Sequence, residues 1–348
     1  MTDLSNKRIL VTGGTGSLGQ TLVRRLLTGE LGTPSSITVF SRDEAKQHYM
    51  RLDFMHRDAA TDDVIYENSR NRLRFRIGDV RDYAAVAAAV READVVFHAA
   101  ALKQVPSCEY FPFEAVQTNI GGANNVVRAI RENELPVEMV VGISTDKACK
   151  PINVMGMTKA LQERVLIEAN RDCPKTRFMC VRYGNVIASR GSIVPLFVEQ
   201  IKKGKALTIT MEEMTRFLLS LDKAVDTVFA AVRGGQPGDT FVPQVASAKM
   251  IDVAKALMGE RDIPIVYTGI RPGEKVHEIM VSEDECFRTV ERNGYYVILP
   301  VIPELRSADD FEPALDGEYS SKDKNISINE LKKLLGDADN EIARFLQP

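Results

Sequence analysis

Thr12-Gly13-Gly14-Thr15-Gly16-Ser17-Leu18-Gly19 follows the apolar run Arg8 to Thr12 and leads into the helical pattern Leu18 to Leu27. A β-branched run before it and an amphipathic stretch after it make it a strand–turn–helix junction, with glycines spaced G-x-x-G-x-x-G. Backbone at such a turn can come close to a pyrophosphate, toward which the helix N-terminus points N–H donors and the positive end of its dipole. Glycines also mark ordinary turns, so the weight lies on the setting. In that setting Thr12, Gly13, Gly16, Ser17, Leu18 and Gly19 are candidate contacts to a dinucleotide.

The same rhythm continues outward. Ser36 to Phe40, Leu73 to Ile77, Val95 to Ala99, Glu138 to Ser144 and Arg177 to Val181 read as short strands. Tyr83 to Arg91, Ala115 to Glu132 and Lys159 to Asn170 read as amphipathic helices between them. Nearly all-apolar strands alternating with helices imply an α/β fold, a Rossmann-type doubly wound parallel sheet covered on both faces. After Tyr183 the pattern shortens, with strand pieces at Leu207 to Thr210, Thr240 to Val242 and Ile263 to Tyr267 and a helix around Ile328 to Leu335. The expected division is a dinucleotide-binding domain over residues 1–183, with a returning helix and strand around 218–243. A smaller mixed substrate-binding domain then takes 184–217 and 244–348, including the tail.

With 348 residues, 44% of them apolar, the chain can bury a large core. A net charge of −3 and a pI near 6.0 speak against a nucleic-acid or anionic-membrane coat protein, so no nucleic-acid and no membrane partner is expected. Met1 to Arg8 lacks a signal-like apolar region, and no apolar run approaches the length of a membrane span. Cys108, Cys149, Cys173, Cys180 and Cys286 show no C-x-x-C pairing, which disfavours a disulfide framework or a metal site. The expectation is a cytoplasmic protein without a bound metal.

Chemistry-bearing residues cluster at the carboxyl ends of the strands, where open α/β sheets hold their ligands. Ser41 and Arg42 follow the second strand, where a hydroxyl and a guanidinium suit a ribose 2′-phosphate; in the alternative reading Asp43 holds the ribose hydroxyls. NADP is therefore favoured, with NAD the alternative. Asp79 and Val80 follow the third strand and face the adenine edge, and Ala99 and Ala100 follow the fourth. The fifth strand delivers Thr145-Asp146-Lys147, and Lys159 begins the next helix, placed to reach the cofactor ribose. Tyr183 and Asn185 follow the sixth strand.

These motifs, with His98 to Pro106, Arg182-Tyr183-Gly184-Asn185, Ser189-Arg190-Gly191-Ser192, Met214-Thr215-Arg216-Phe217 and Arg271-Pro272-Gly273-Glu274-Lys275, resemble the extended short-chain dehydrogenase/reductases acting on nucleotide sugars. Among them the chain resembles the UDP-N-acetylglucosamine 4,6-dehydratases of capsule, O-antigen and flagellar glycan synthesis. The resemblance covers nearly the whole chain and adds Lys103, Asn119, Lys159 and Tyr183 on the cofactor side. On the substrate side it implies Lys103, Asn185, Arg190, Ser192, Thr208, Arg216, Arg271 and Glu274. The implied substrate is UDP-N-acetylglucosamine, with a GDP-linked sugar also admitted, and the implied assembly is a homo-oligomer. One position departs from the wider superfamily: the tyrosine of Y-x-x-x-K is replaced by Met155 in Met155-Gly156-Met157-Thr158-Lys159, and a thioether moves no proton. A subset of the dehydratases looks like M-G-x-x-K, and the substitution marks that subgroup.

The resemblance implies hydride transfer from sugar C4 to a tightly bound, recycled nicotinamide. Lys147 then removes the C5 proton, Asp146 protonates the departing C6 hydroxyl, and the hydride returns to C6. Lys147 must then be neutral, its pKa drawn below about 10.4 by burial or by Lys159, and Asp146 must be raised. Asp146 or an ordered water takes the C4-hydroxyl proton. Inversion or retention at C5 stays open, the M-G-M-T-K form resembling the inverting capsule enzymes more. A 4-epimerase shares fold, cofactor and substrate but has no need of the Asp146–Lys147 pair. A non-catalytic dinucleotide-binding protein is the reading from outside chemistry, and Met155 is its one support.

Overall fold

A computed structural model of the protein describes residues 3–55, 72–187, 192–306 and 311–337. Six strands follow one another as β1 (Arg8–Thr12), β2 (Ser36–Ser41), β3 (Leu73–Ile77), β4 (Val95–His98), β5 (Met139–Ile143) and β6 (Arg177–Val181). Alternate residues of each enter opposite cores. Ile9 and Val11 of β1 join Val39, Phe97, Val141 and Val181 on one face, packed by Leu22 and Leu26 of α1 (Ser17–Leu27). Leu10 joins Phe40, Val96, Val140 and Phe178 on the other, beneath Val86 and Val90 of α3 (Tyr83–Val90); α2 (Glu44–Met55) precedes β3. β1, β4, β5 and β6 are dry on both faces, whereas β3 at the end of the sheet carries Arg74 and Arg76; each buried aliphatic or Phe side chain contributes about 1.5–3 kcal/mol.

The helical pattern from Ala115 to Glu132 is not one helix. After α4 (Val105–Tyr110) it forms α5 (Pro112–Ala115), a π-helical turn over Val116–Gly121, and α6 (Gly122–Glu132). The wider turn carries Thr118 and Asn119 inward, both buried. Asn119 accepts a hydrogen bond from Leu102 N at 2.8 Å and donates to Leu102 O at 3.1 Å and Thr158 Oγ1 at 2.9 Å, so it pins the loop after β4 to the next helix. That helix, α7 (Val154–Asp172), starts ahead of the expected Lys159. Asn153 caps it by accepting from Gly156 N at 2.8 Å, and Lys159 falls in its second turn.

In space the six strands run β6-β5-β4-β1-β2-β3, and three later strands extend the sheet beyond β6. Beyond β6, the short β7 (Asn185–Val186), α8 (Ile193–Lys202), β8 (Leu207–Ile209) and β9 (Thr215–Leu219) leave the sheet. The chain returns through α9 (Leu221–Gly234) and β10 (Thr240–Pro243), which pairs parallel to β6. Then β11 (Ser247–Lys249), α10 (Met250–Met258), β12 (Ile265–Tyr267), β13 (Ile279–Val281) and α11 (Glu283–Cys286) follow. The antiparallel hairpin β14 (Thr289–Arg292) and β15 (Tyr295–Ile298) extends the large sheet, turned by Asn293 and Gly294, both at positive φ. Finally β16 (Tyr319–Ser320) pairs with β13, and α12 (Ile328–Asp337) packs on α10. Phe197, Leu207, Ile209, Met214, Ala254 and Leu331 form a separate core for the smaller portion.

A buried ion network ties α7 to α11. Arg182, after β6, donates two hydrogen bonds of 2.8 and 2.7 Å to Glu163 of α7 and two of 2.8 Å to Glu285 of α11. Burial alone would raise the Glu285 carboxyl, but the Arg182 charge and hydrogen bonds outweigh it and hold it at about 2. Glu285 therefore contributes stability that is complete above the ordinary carboxylate pKa and is lost as pH falls toward 2. Two outcomes follow for thermal and urea unfolding. Glu285→Ala should lose about 3–5 kcal/mol by leaving Arg182 underpaired, and in Glu285→Gln the stability lost between about pH 5 and pH 2 should be smaller than in the unmodified protein. An unchanged acid profile would remove Glu285 from this role.

Candidate active site

The strand order reverses between β1 and β4, and a cavity of about 560 Å³ opens at their carboxyl ends. Gly13 turns the chain there at φ +68, donating its N–H to Phe40 O at 2.8 Å. A Cβ on Gly13 would lie 2.7 Å from Ala100 N, so glycine is needed for the turn and for the approach of the next loop. Thr12 stands behind this wall. Its hydroxyl meets His98 Nδ1 at 3.0 Å and accepts from Ala100 N at 3.3 Å. Burial, assisted by Lys159, takes His98 down to about 3, so this imidazole is a neutral framework group.

Gly16, Ser17, Leu18 and Gly19 line the cavity, and the N-terminus of α1 has no side-chain cap, leaving its first N–H groups directed at a ligand. At the end of β2, Ser41, Arg42 and also Lys46, one helical turn along, line it. Gln47 donates to Ser41 Oγ at 3.1 Å and to Arg76 O at 2.9 Å, fixing this corner. Val80, Ala99, Ala100, Lys103, Lys159 and Tyr183 complete the wall. Asp79 stands at its edge, paired with Arg81 at 2.7 Å and 3.7 Å from Arg42. Asn119 supports the wall through Leu102 and does not line it. Buried polar atoms without protein partners, Ser144 Oγ, Thr118 Oγ1 and Asn185 Oδ1, belong to lining residues. The residues present thus fit a bound dinucleotide and a polar substrate.

Thr145, Asp146 and Lys147 project from the end of β5 into the same cavity. The Thr145 hydroxyl donates to Asp146 Oδ1 at 2.9 Å, and the turn is tied to the sheet by Asp146 N donating to Tyr183 O at 3.1 Å. Gly156 of α7 presses on the same turn, where a Cβ would sit 2.2 Å from Lys147 O. Lys147 Nζ lies 3.1 Å from Asp146 Oδ1 and 3.0 Å from Glu278 Oε1. Asp146 is 1% exposed, and burial, with the Glu278 charge added, raises its pKa against the pull of Lys147. The direction is that of an acid.

Lys147 goes the opposite way from the expectation. Burial favours the neutral amine, but the two carboxylates outweigh it and raise the pKa. Lys159, whose charge was to draw Lys147 down, is itself the depressed lysine: burial brings it to about 8, with its ammonium held by Ile143 O and by Gln162 Oε1 at 2.6 Å. Met155 is buried among Leu102, Val105, Cys108 and Ala115 and offers no proton-transfer group to the cavity it lines. Glu278 was not legible as a site residue. The available signal was a carboxylate leading the apolar strand Ile279 to Val281.

On the substrate side Lys103 and Asn185 line the cavity, while Ser192, Thr208, Arg216, Arg271 and Glu274 do not. Arg216, on β9, is buried, with Nη1 donating to Thr215 O at 2.7 Å and Val276 O at 3.1 Å and Nε 3.8 Å from Glu278 Oε1. Thr208 accepts from Gln200 Nε2 at 2.9 Å, Ser192 donates to Ile187 O at 3.2 Å, and Glu274 accepts from Thr210 Oγ1 at 3.2 Å. Arg271 is exposed at the head of the loop whose Gly273 O accepts from Asn153 at 2.7 Å and whose Lys275 donates to Cys149 O at 2.6 Å. Arg190 lies outside the described residues. All five cysteines are buried, and burial pushes the Cys149 thiol up to about 12.

Comparison with known proteins agrees with this geometry. The profile of the polysaccharide biosynthesis protein family matches residues 9–300. A protein named UDP-glucose 4-epimerase from Rickettsia akari is 43% identical over 342 residues, covering 95% of each chain. The crystal structure of Pen from Bacillus thuringiensis superposes with a TM-score of 0.85 at 33% identity, covering 97% of this chain and 99% of that one. The fold is also that of DesIV, a dTDP-glucose 4,6-dehydratase from Streptomyces venezuelae solved with NAD and TYD bound, at a TM-score of 0.65 and 20% identity, over 77% of this chain and 86% of that one. The chain belongs to the polysaccharide biosynthesis protein family, and its fold is that of the extended short-chain dehydrogenase/reductases.

Proposed function

We propose that this enzyme is a 4,6-dehydratase acting on UDP-N-acetylglucosamine. The observation that carries the reading is a buried carboxyl with a raised pKa, Asp146, next to a lysine at the mouth of the cofactor cavity. A bound nicotinamide supplies a hydride acceptor for sugar C4 and the hydride donor for C6. The protein supplies the proton chemistry. Asp146, whose pKa burial raises, takes the C4-hydroxyl proton and gives it to the departing C6 hydroxyl, and Lys147 takes the C5 proton made acidic by the C4 ketone. Thr145 orients Asp146 and can donate to the C4 oxygen. Lys103 and Asn185 face the sugar, while Arg216, Arg271, Glu274, Thr208, Ser192 and Arg190 belong to the nucleotide-binding side, with Arg216 acting from behind the wall through Glu278. A GDP-linked sugar is the second candidate substrate. The division into a cofactor portion, 1–183 with 218–243, and a substrate portion is part of the same proposal.

The 2′-phosphate of NADP would lie against Arg42 and Lys46, which supports NADP over NAD. Exposed Tyr110, Phe113, Met157 and Leu161 on α4, α5 and α7 support a homo-oligomer. The relatives' name favours a second reading, 4-epimerisation. An epimerase, however, has no use for a second acid/base pair beside the C4 oxygen.

Mass spectrometry of UDP-N-acetylglucosamine incubated with the protein separates the readings: a dehydratase gives a product lighter by one water, an epimerase an isobaric one. Lys147→Ala and Asp146→Asn should each lower turnover by about 10²–10⁴-fold with cofactor still bound, and near-normal turnover in either removes that residue from its role. Arg42→Ala should weaken NADP binding about tenfold and leave NAD binding nearly unchanged; equal losses for both cofactors would contradict the 2′-phosphate assignment.

A further inference from the structure

Two loops that serve opposite ends of the proposed substrate are joined at one side chain. Thr145-Asp146-Lys147 stands at the sugar end, and Arg271 and Glu274 belong to the nucleotide side. Asn153, 5% exposed, lies between them and uses its amide twice. Its Oδ1 accepts from Gly156 N at 2.8 Å and caps α7, and its Nδ2 donates to Gly273 O at 2.7 Å. A cap needs only the oxygen, which serine, threonine and aspartate also supply. The nitrogen is what asparagine adds.

The nucleotide loop is a rigid turn at this point. Glu274 N donates to Arg271 O at 3.1 Å, with Pro272 second in the turn and Gly273 third at φ +79, the arrangement of a type II turn. Arg271 and Glu274 are thus the two ends of one unit, and its Gly273 carbonyl is held by the residue that caps the catalytic helix. The packing is as close as the hydrogen bonding. A Cβ on Gly273 would lie 3.0 Å from Asn153 Cβ, and a Cβ on Gly156 would lie 2.2 Å from Lys147 O. Lys275 forms a second tie, its Nζ donating at 2.6 Å to the carbonyl of Cys149, just past Lys147.

We infer that Asn153 is a positioning residue that converts occupation of the Arg271–Glu274 turn by a nucleoside diphosphate into the working placement of Asp146 and Lys147. The inference rests on the part of the proposed function that puts the nucleotide at this turn, and holds whether or not the sugar loses water. Binding energy from a remote part of a substrate raises kcat only when it is spent on the placement of the reacting groups. An amide bonded at both ends and packed between two glycines is a link that can carry it. Displacing the reacting groups by about 1 Å costs on the order of a hundredfold in rate, so a small relaxation of the turn after β5 registers in kcat.

The test uses the full chain with cofactor bound and takes UDP as the probe, because UDP has no sugar to touch Asp146 or Lys147. Asn153→Asp and Asn153→Ser keep an oxygen for Gly156 N and so keep the cap, but lose the amide donor to Gly273 O. Aspartate adds a charge and serine does not, so the effect they share is the lost grip. In both, kcat on UDP-N-acetylglucosamine should fall about tenfold, while UDP, read as a competitive inhibitor, should bind as tightly as to the unmodified enzyme. Hydrogen exchange gives a reading that needs no turnover. UDP should slow exchange of the Ala148 and Cys149 amides, which donate to Thr145 O and Asp146 O at 3.1 Å, and this slowing should be smaller in the variants. A residue that merely shapes the nucleotide site predicts that UDP affinity falls together with kcat, and one that merely caps α7 predicts no change in either. Both results overturn the inference, as does slowing that persists undiminished in the variants. Should the variants fold poorly, the unmodified enzyme decides: slowed exchange at Ala148 and Cys149 upholds the inference, and unaltered exchange with UDP bound overturns it alone. Failure of UDP to bind the unmodified enzyme overturns the nucleotide reading and the inference together.

Discussion

A lysine ammonium held 3.1 and 3.0 Å from two buried carboxylates is the constraint around which the rest of this structure is arranged. Charges so placed persist only when each is matched, because an unmatched one would cost several kcal/mol. Matching them requires partners from distant parts of the chain. Asp146 and Lys147 come from the end of β5, Glu278 from the approach to β13, and Arg216 from β9. Those segments meet at the turn after β5, and the buried Arg182 network to Glu163 and Glu285 joins α7 to α11 nearby.

The doubly wound sheet was legible because its central strands are nearly all apolar. Dry cores on both faces leave no other solution, as Ile9, Leu10 and Val11 illustrate by entering alternate cores. The glycine turn was legible for a similar reason: strand, Gly13 and helix are contiguous. Elements set by local irregularity were less so. The π turn at Val116–Gly121 interrupts an amphipathic pattern that reads straight through, and α7 begins before Lys159 because Asn153 caps it. The β14–β15 hairpin carries one local signal, Asn293-Gly294 ahead of the apolar run Tyr295 to Leu299.

The site divided along the same line. Thr145-Asp146-Lys147 could be found because the three are adjacent at a strand end. The protonation of Lys147 could not, because Glu278 is far along the chain and meets it only through the tertiary fold. Arg216 likewise reads as a substrate-side residue, yet it is buried against Val276 O and next to Glu278. Sequence proximity reports which groups are present, whereas their charge states depend on neighbours delivered by folding.

The central claim, that the hydride leaving C4 returns to C6 of the same sugar while water is lost, is tested most directly with UDP-N-acetylglucosamine deuterated at C4. The account predicts a product lighter by one water that carries the deuterium in its C6 methyl group. Deuterium retained at C4 of an isobaric product would contradict it and place the enzyme with the 4-epimerases.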